Sequence, residues 1–224
     1  MRSPETRVIT TPSGARRLIV DLDERDLARY ASVVANVARH VERSLGDGVL
    51  AHRTGPRGPA PIAPGWARWR RCLAAATHHP DLVVLRSDVR RCYRGIGPDA
   101  VAAGLRRAGA GAAARSEVDE TLARFRAAGI DGLPIGPAPS AIVANAVLAV
   151  ADDAIRAEGV LHLRWVDDVA LAGDRRAVAR AFRAWRAAIV DLGLRVHDDK
   201  TSIVRAGHTP ASVGPSLARP GLVP

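Results

Sequence analysis

The sequence predicts an α+β fold, an antiparallel sheet with helices packed on one face, and three observations carry that expectation. Between residues 82 and 205 the candidate elements run strand, helices, strand, strand, helix, strand. The strand candidates are short apolar runs bounded by breakers, whereas the helical ones repeat their apolar residues at helical spacing. The runs VLHLRWV and VALAG are separated only by Asp167 and Asp168, which demands a tight hairpin. Strands and helices in this order build layers around one core.

Taken in order, residues 24 to 45 (ERDLARYASVVANVARHVERSL) predict an amphipathic helix. AHRTGPRGPAPIAPG carries enough Gly and Pro to exclude a regular element and reads as a basic loop. Residues 66 to 77 (WARWRRCLAAAT) predict a short helix that HHPD ends. LVVLRS at 82 to 87 predicts a buried strand that stops at Asp88. Pro98 after Gly97 opens a helix over 98 to 108. Ser116 with Asp119 predicts a capped helix over 117 to 128. GLPIGPAPS at 132 to 140 suits neither helix nor strand, and an apolar helix follows from 141 to about 157, with Ser140 as its candidate cap. Beyond the hairpin come a helix over 175 to 191 and two short strands in GLRVH and TSIVRA. The tail from 206 to 224 is rich in Pro and Gly and predicts no core of its own.

The 224 residues set a prior of one large or two modest domains. Hydrophobic residues at 47% with aromatics at 4% imply a core of Ala, Leu and Val. Lys plus Arg number 33 against 23 Asp plus Glu, a net charge of +10 that favours a polyanionic partner. Cys72 and Cys92 are too few for a metal site and are expected to be reduced thiols. MRSPETRVIT has no apolar run of a secretory signal, and AIVANAVLAVADDAI is too short to cross a bilayer. The expectation is a soluble cytoplasmic protein with no membrane partner.

Adjacent acids arise readily in this chain, as Asp152-Asp153 and Asp198-Asp199 show, so Asp167-Asp168 alone reads equally as a solvated turn. Asp88 at another strand end changes the weight. If these strands are neighbours, the carboxylates gather at one edge and repel unless a cation sits among them. Mg²⁺ prefers oxygen ligands and keeps waters that phosphates can replace, and a pair of such ions activates a hydroxyl for phosphoryl transfer.

Four segments, VVLRSDVRRCY, GLPIGPAPSAIVANAVL, LRWVDDVAL and GLRVHDDKT, follow the order and spacing of the palm motifs of reverse transcriptases. The chain resembles the bacterial, group II intron-like and retron-like branch of that family. The resemblance implies a polymerase palm over residues 81–205 that includes some fingers elements. It further implies a reduced fingers-like region over 1–80, and a tail over 206–224 with no evident thumb. No nuclease or ribonuclease H segment is apparent. The implied activity is RNA-directed DNA polymerisation with Mg²⁺ or Mn²⁺, using dNTPs, an RNA template and a DNA or RNA primer. Asp88 and Asp167 would be the principal metal ligands and Asp168 would support them. Tyr93 would lie beneath the incoming sugar and exclude a 2′-hydroxyl. The amides of 89 to 92, with Arg90, Arg91 and Arg94, would meet the triphosphate. Gly132, Pro134, Ile135, Gly136, Ser140 and Asn145 would lie against template and nascent pair. Lys200, the chain's only lysine, would protonate the departing pyrophosphate, which an arginine cannot do.

Two positions depart from the family pattern. Ile135 stands where Gln is usual, which puts nucleotide fidelity in question, and Trp165 replaces Tyr or Phe before the acids. Upstream, GARRLIV offers Arg16 and Arg17, and the basic loop Arg53 and Arg57, as template or triphosphate contacts. Without a thumb, either grip would come from a dedicated RNA, a protein partner or a dimer mate, or the enzyme would be poorly processive. The competing expectation is a catalytically inert polymerase-like module that holds RNA in a defence or structural assembly.

Overall fold

The computed structural model describes residues 5–10, 16–56 and 58–205. An antiparallel pair, β1 (Glu5–Thr10) and β2 (Arg16–Asp21), precedes the long helix α1 (Glu24–Ser44). Asp23 starts that helix by accepting from the Asp26 amide at 2.8 Å, and Glu24 and Asp26 favour its positive end. A minimal hairpin, β3 (Thr54–Gly55) with β4 (Gly58–Pro59), lies inside the expected loop. Helix α2 (Ile62–His78) begins four residues before the sequence reading placed it. Pro64 sits in its first turn, where no partner exists for a backbone donor anyway, so the residue does not break the helix.

Strand β5 (Val83–Arg90) runs past its expected end, so Asp88 lies within it and not at its tip. The short helix α3 (Cys92–Gly95) and α4 (Pro98–Arg107) follow. Helix α5 (Ala112–Ala127) starts at a Gly111 cap, not at Ser116; that hydroxyl is inside the helix and donates to Glu120 at 3.3 Å. Helix α6 spans Ala138–Asp153, three residues earlier than expected at its start and shorter at its end. Strands β6 (Leu161–Trp165) and β7 (Asp168–Gly173), helix α7 (Arg175–Asp191) and the strands β8 (Arg195–Val196) and β9 (Ser202–Arg205) complete the order.

The central sheet runs β6-β7-β5, with β8 and β9 both pairing along the free side of β5, and every pairing is antiparallel. Alternation gives it two faces. Leu85 and Val89, with Val169 and Leu171, join the main core formed with α1, α4, α5, α6 and α7. Val84, Ala170, Ala172, Leu163 and Trp165 lie on the opposite face, where Trp69, Leu73 and Ala76 of α2 cover them. Helices therefore pack on both faces, a correction to the one-face expectation. The sequence hides this because α2 is arginine-rich, with Trp69 and Ala76 its only fully buried residues. Among the described residues no helix is long and apolar enough to cross a membrane. Arg57 and the 206–224 tail lie outside the described residues.

Candidate active site

The hairpin between β6 and β7 closes through Val166 and Asp167, with Trp165 opposite Asp168. Val166 takes a left-handed φ of 55°, costly for a β-branched residue. The register continues across the sheet: Asp88 of β5 stands directly opposite Asp168 of β7. Directly opposed residues point to one face, so both carboxylates face the α2 side of the sheet. Asp88 is 5% exposed and Asp168 8%. Asp168, not Asp167, thus holds the position opposite the first acid. Asp167 sits in the turn, and its carbonyl accepts the Val89 amide at 3.3 Å, tying the turn to β5.

Lys200 ends a 3-10 turn, Asp198–Lys200, and its ammonium contacts Asp88 Oδ2. The same segment is fastened to β5 by the His197 amide on the Asp88 carbonyl at 2.8 Å and by a 2.8 Å hydroxyl contact between Ser87 and Thr201. Arg186 holds Asp198 at 2.7 Å. Arg86, two residues before Asp88, shares its face, and no sequence signal singled it out. Burial pulls the Arg86 guanidinium below its ordinary pKa while the Asp168 carboxylate pulls it back. The two acids therefore lie between two cationic groups of the chain itself.

Paired carboxylates from adjacent strands are the hard oxygen donors that suit Mg²⁺. Asp88 and Asp168 fit that donor type. Among the described residues, however, no group of three or more His, Cys, Asp or Glu is placed to hold a metal, so the expected three-acid cluster is not assembled.

The structure brings Tyr93 and the GLPIG segment together. The Leu133 amide donates to the Tyr93 carbonyl at 2.8 Å. A Cβ on Gly132, whose φ is 64°, would fall 2.2 Å from that carbonyl oxygen, so only glycine permits the approach. Burial pushes the Tyr93 hydroxyl pKa well up, and negative charge at Cys92 and Asp167 adds to it. Pro134 is buried, and the Ile135 carbonyl accepts the Val20 amide at 2.8 Å, seating the segment against β2. Gly136, at φ 120°, allows Ile19 to approach where a Cβ would be 2.7 Å from its Cγ2.

Other expected contacts are placed elsewhere. Ser140 caps nothing and faces no groove: it is fully buried, 3.2 Å from the Tyr30 hydroxyl. Asn145 is 3% exposed and donates to the carbonyls of Ala51 and His52 at 3.0 and 3.3 Å. Arg53 is bound to Glu42 and to the Gly46 and Val49 carbonyls, a structural role and not a template contact. The Val89 amide is already engaged by Asp167 and cannot meet a triphosphate. Arg90 and Arg91 are exposed, and Arg94 reaches Asp131 at 3.3 Å. Arg16 is exposed; the Arg17 side chain, like Arg57, lies outside the described residues.

No family model and no curated protein matches the sequence. Solved structures do match. Telomerase from Candida albicans, in complex with the TWJ fragment of telomeric RNA, superposes with a TM-score of 0.60 at 14% identity, over 94% of this chain and 44% of that one. Apo telomerase from Candida tropicalis gives a TM-score of 0.58 at 12% identity, over 91% of this chain and 44% of that one. A form of it truncated from the C-terminal domain gives 0.56 at 12%, over 93% and 51%. What is shared is the fold. The chain shares the fold of these telomerase structures over most of its own length and spans about half the length of those chains or less.

Proposed function

We propose that this chain is the polymerising core of an RNA-directed DNA polymerase, adding dNTPs to a DNA or RNA primer on an RNA template. In this reading residues 81–205 are the palm and 1–80 a fingers-like region. The observation that carries it is Asp88 opposite Asp168, with Lys200 on Asp88, in a sheet whose fold matches telomerase. Asp88 and Asp168, with Asp167 beside them, would hold Mg²⁺ or Mn²⁺, which would activate the primer hydroxyl and offset charge on the transferring phosphate. Lys200 is 44% exposed, so it can leave Asp88 and donate a proton to the departing pyrophosphate. Tyr93, whose carbonyl is fixed by the close approach of Gly132 and the Leu133 amide, would limit the space beneath the sugar.

Primer extension on an RNA template compares wild type with Asp88→Asn and Asp168→Asn. Incorporation should need a divalent ion and fall to background in both variants, and Tyr93→Ala should admit ribonucleotides. Equal incorporation by wild type and Asp168→Asn would remove the acids from the site. A second reading, an inert RNA-holding module, is favoured by the contact of Lys200 with Asp88, which already offsets that carboxylate's charge, and no metal-holding cluster of three acids is found among the described residues. Tight RNA binding without incorporation under either ion would establish it.

A further inference from the structure

Arg164 is the penultimate residue of β6 and is 1% exposed. Its register partner is Val169, so it lies on the core face of the sheet, behind Asp88 and Asp168. A guanidinium there is costly unless paired and hydrogen-bonded. Its Nε faces both oxygens of Asp152, at the end of α6, at 3.1 and 2.9 Å. Its Nη1 donates to Asn145 Oδ1 at 2.9 Å and to the Val166 carbonyl at 3.0 Å. Asn145 in turn is anchored on the carbonyls of Ala51 and His52. The Arg164 backbone also bonds the segment before β3, through the Gly48 carbonyl at 2.8 Å and the Leu50 amide at 3.0 Å.

An ion pair with Asp152 needs only the Nε edge. The contact with Val166 is a separate matter, because Val166 is the left-handed residue immediately before Asp167. A backbone so disfavoured persists only when its surroundings over-determine it. The planar guanidinium fork reaches the carboxylate, the amide and the turn carbonyl together, which a single ammonium cannot do.

We propose that Arg164 is a positioning residue whose guanidinium, aimed by Asp152 and Asn145, holds the Val166 carbonyl and so fixes the turn that presents Asp167 and Asp168. Its effect on catalysis rests on the polymerase reading above. The structural claim does not.

Arg164→Lys in the full chain keeps the positive charge beside Asp152 and loses the fork. Amide hydrogen exchange is followed over 163–169 and, as reference, over β5 and α6. The turn peptide should exchange about tenfold faster or more while β5 and α6 keep wild-type protection. In primer extension kcat should fall about tenfold or more, with the KM for dNTP within about twofold, as for lost positioning rather than lost binding. Unchanged exchange at the turn would overturn the proposal. So would acceleration spread evenly over all strands, which marks a purely structural ion pair. Should Arg164→Lys not fold, Asn145→Ala leaves the ion pair intact and removes one support of Nη1, and the same local-versus-uniform comparison decides. A wild type that exchanges as expected but never extends a primer refutes the polymerase reading and leaves the positioning test standing.

Discussion

Asp152 is a buried carboxylate whose ionisation is set by competing neighbours. Burial alone would raise its pKa; the Arg164 guanidinium opposes this, joined by His162, and the carboxyl is held below its ordinary 3.8. Because the folded-state value lies below the unfolded one, the pair contributes stability that is complete above about pH 4. That stability is lost as the pH falls through the folded value. Asp152→Asn should cost about 3–5 kcal/mol near neutrality, since it leaves Arg164 buried without its counter-charge. The gap from wild type should narrow as the pH drops below about 4. Denaturant midpoints from neutral to acid pH measure it, and a gap that stays constant to the lowest pH at which the protein folds would refute the assignment. At this scale the sequence was legible where a residue type admits one chemistry. The lone lysine and the acids of separate strands fall together, as Lys200, Asp88 and Asp168 do. It was illegible where a polar residue is buried. Arg164 drew no expectation, and Asn145, which the family resemblance implies is a contact to the nascent pair, is instead a buried support of Arg164. The signal for Arg164 was the strand alternation itself, which puts it on the face of Val169 and Leu171.

Among the elements, the crossing of α4 over α6 is the tightest that glycine permits. A Cβ on Gly104 would lie 2.7 Å from the carbonyl carbon and oxygen of Ala146 and from the Val147 nitrogen. These are backbone atoms of a helix and cannot rotate away. By propensity alone Gly104→Ala would gain about 1 kcal/mol in a helix interior. The clash reverses the sign, and forced separation of the helices should cost about 1–3 kcal/mol net. Chemical denaturation gives the answer; a stabilised variant would show that α4 and α6 sit farther apart. Helix α7 was legible to the residue, since Asp174 accepts from the Arg176 and Ala177 amides and the apolar period is strong. The starts of α2 and α5 were not. Pro64 and the Gly-rich run before Ser116 are breakers in a helix interior but harmless in a first turn or at a cap, and local sequence does not say which applies. The end of β5 was missed for another reason: β8 pairs with Val89 and Arg90 from far along the chain, extending the strand past Asp88.

For the molecule as a whole, a net charge of +10 has to be read against where the cations sit. Several arginines are spent internally, among them Arg53 on Glu42, Arg107 on Asp153 and Arg164 on Asp152. Helix α2, which covers the sheet face that carries Asp88 and Asp168, instead exposes Arg68, Arg70 and Arg71. Arg90 and Arg91 are exposed at the end of β5. A polyanion approaching the acids meets this set, and five or six phosphate contacts would give a log–log salt dependence of about −4 to −5. Replacing Arg68, Arg70 and Arg71 together by Ala should flatten that slope by about 2 to 3 and weaken binding to the same extent for every nucleotide sequence. Arg175→Ala and Arg176→Ala on α7, which packs on the other face, should leave the slope near wild type. Fluorescence anisotropy of a labelled RNA across a salt series reads both at once. If the α2 variant keeps the wild-type slope while the α7 variant loses it, nucleic acid binds on the side of the sheet away from Asp88 and Asp168. The acids would then have no role at the bound strand, and the polymerase reading would fall with them.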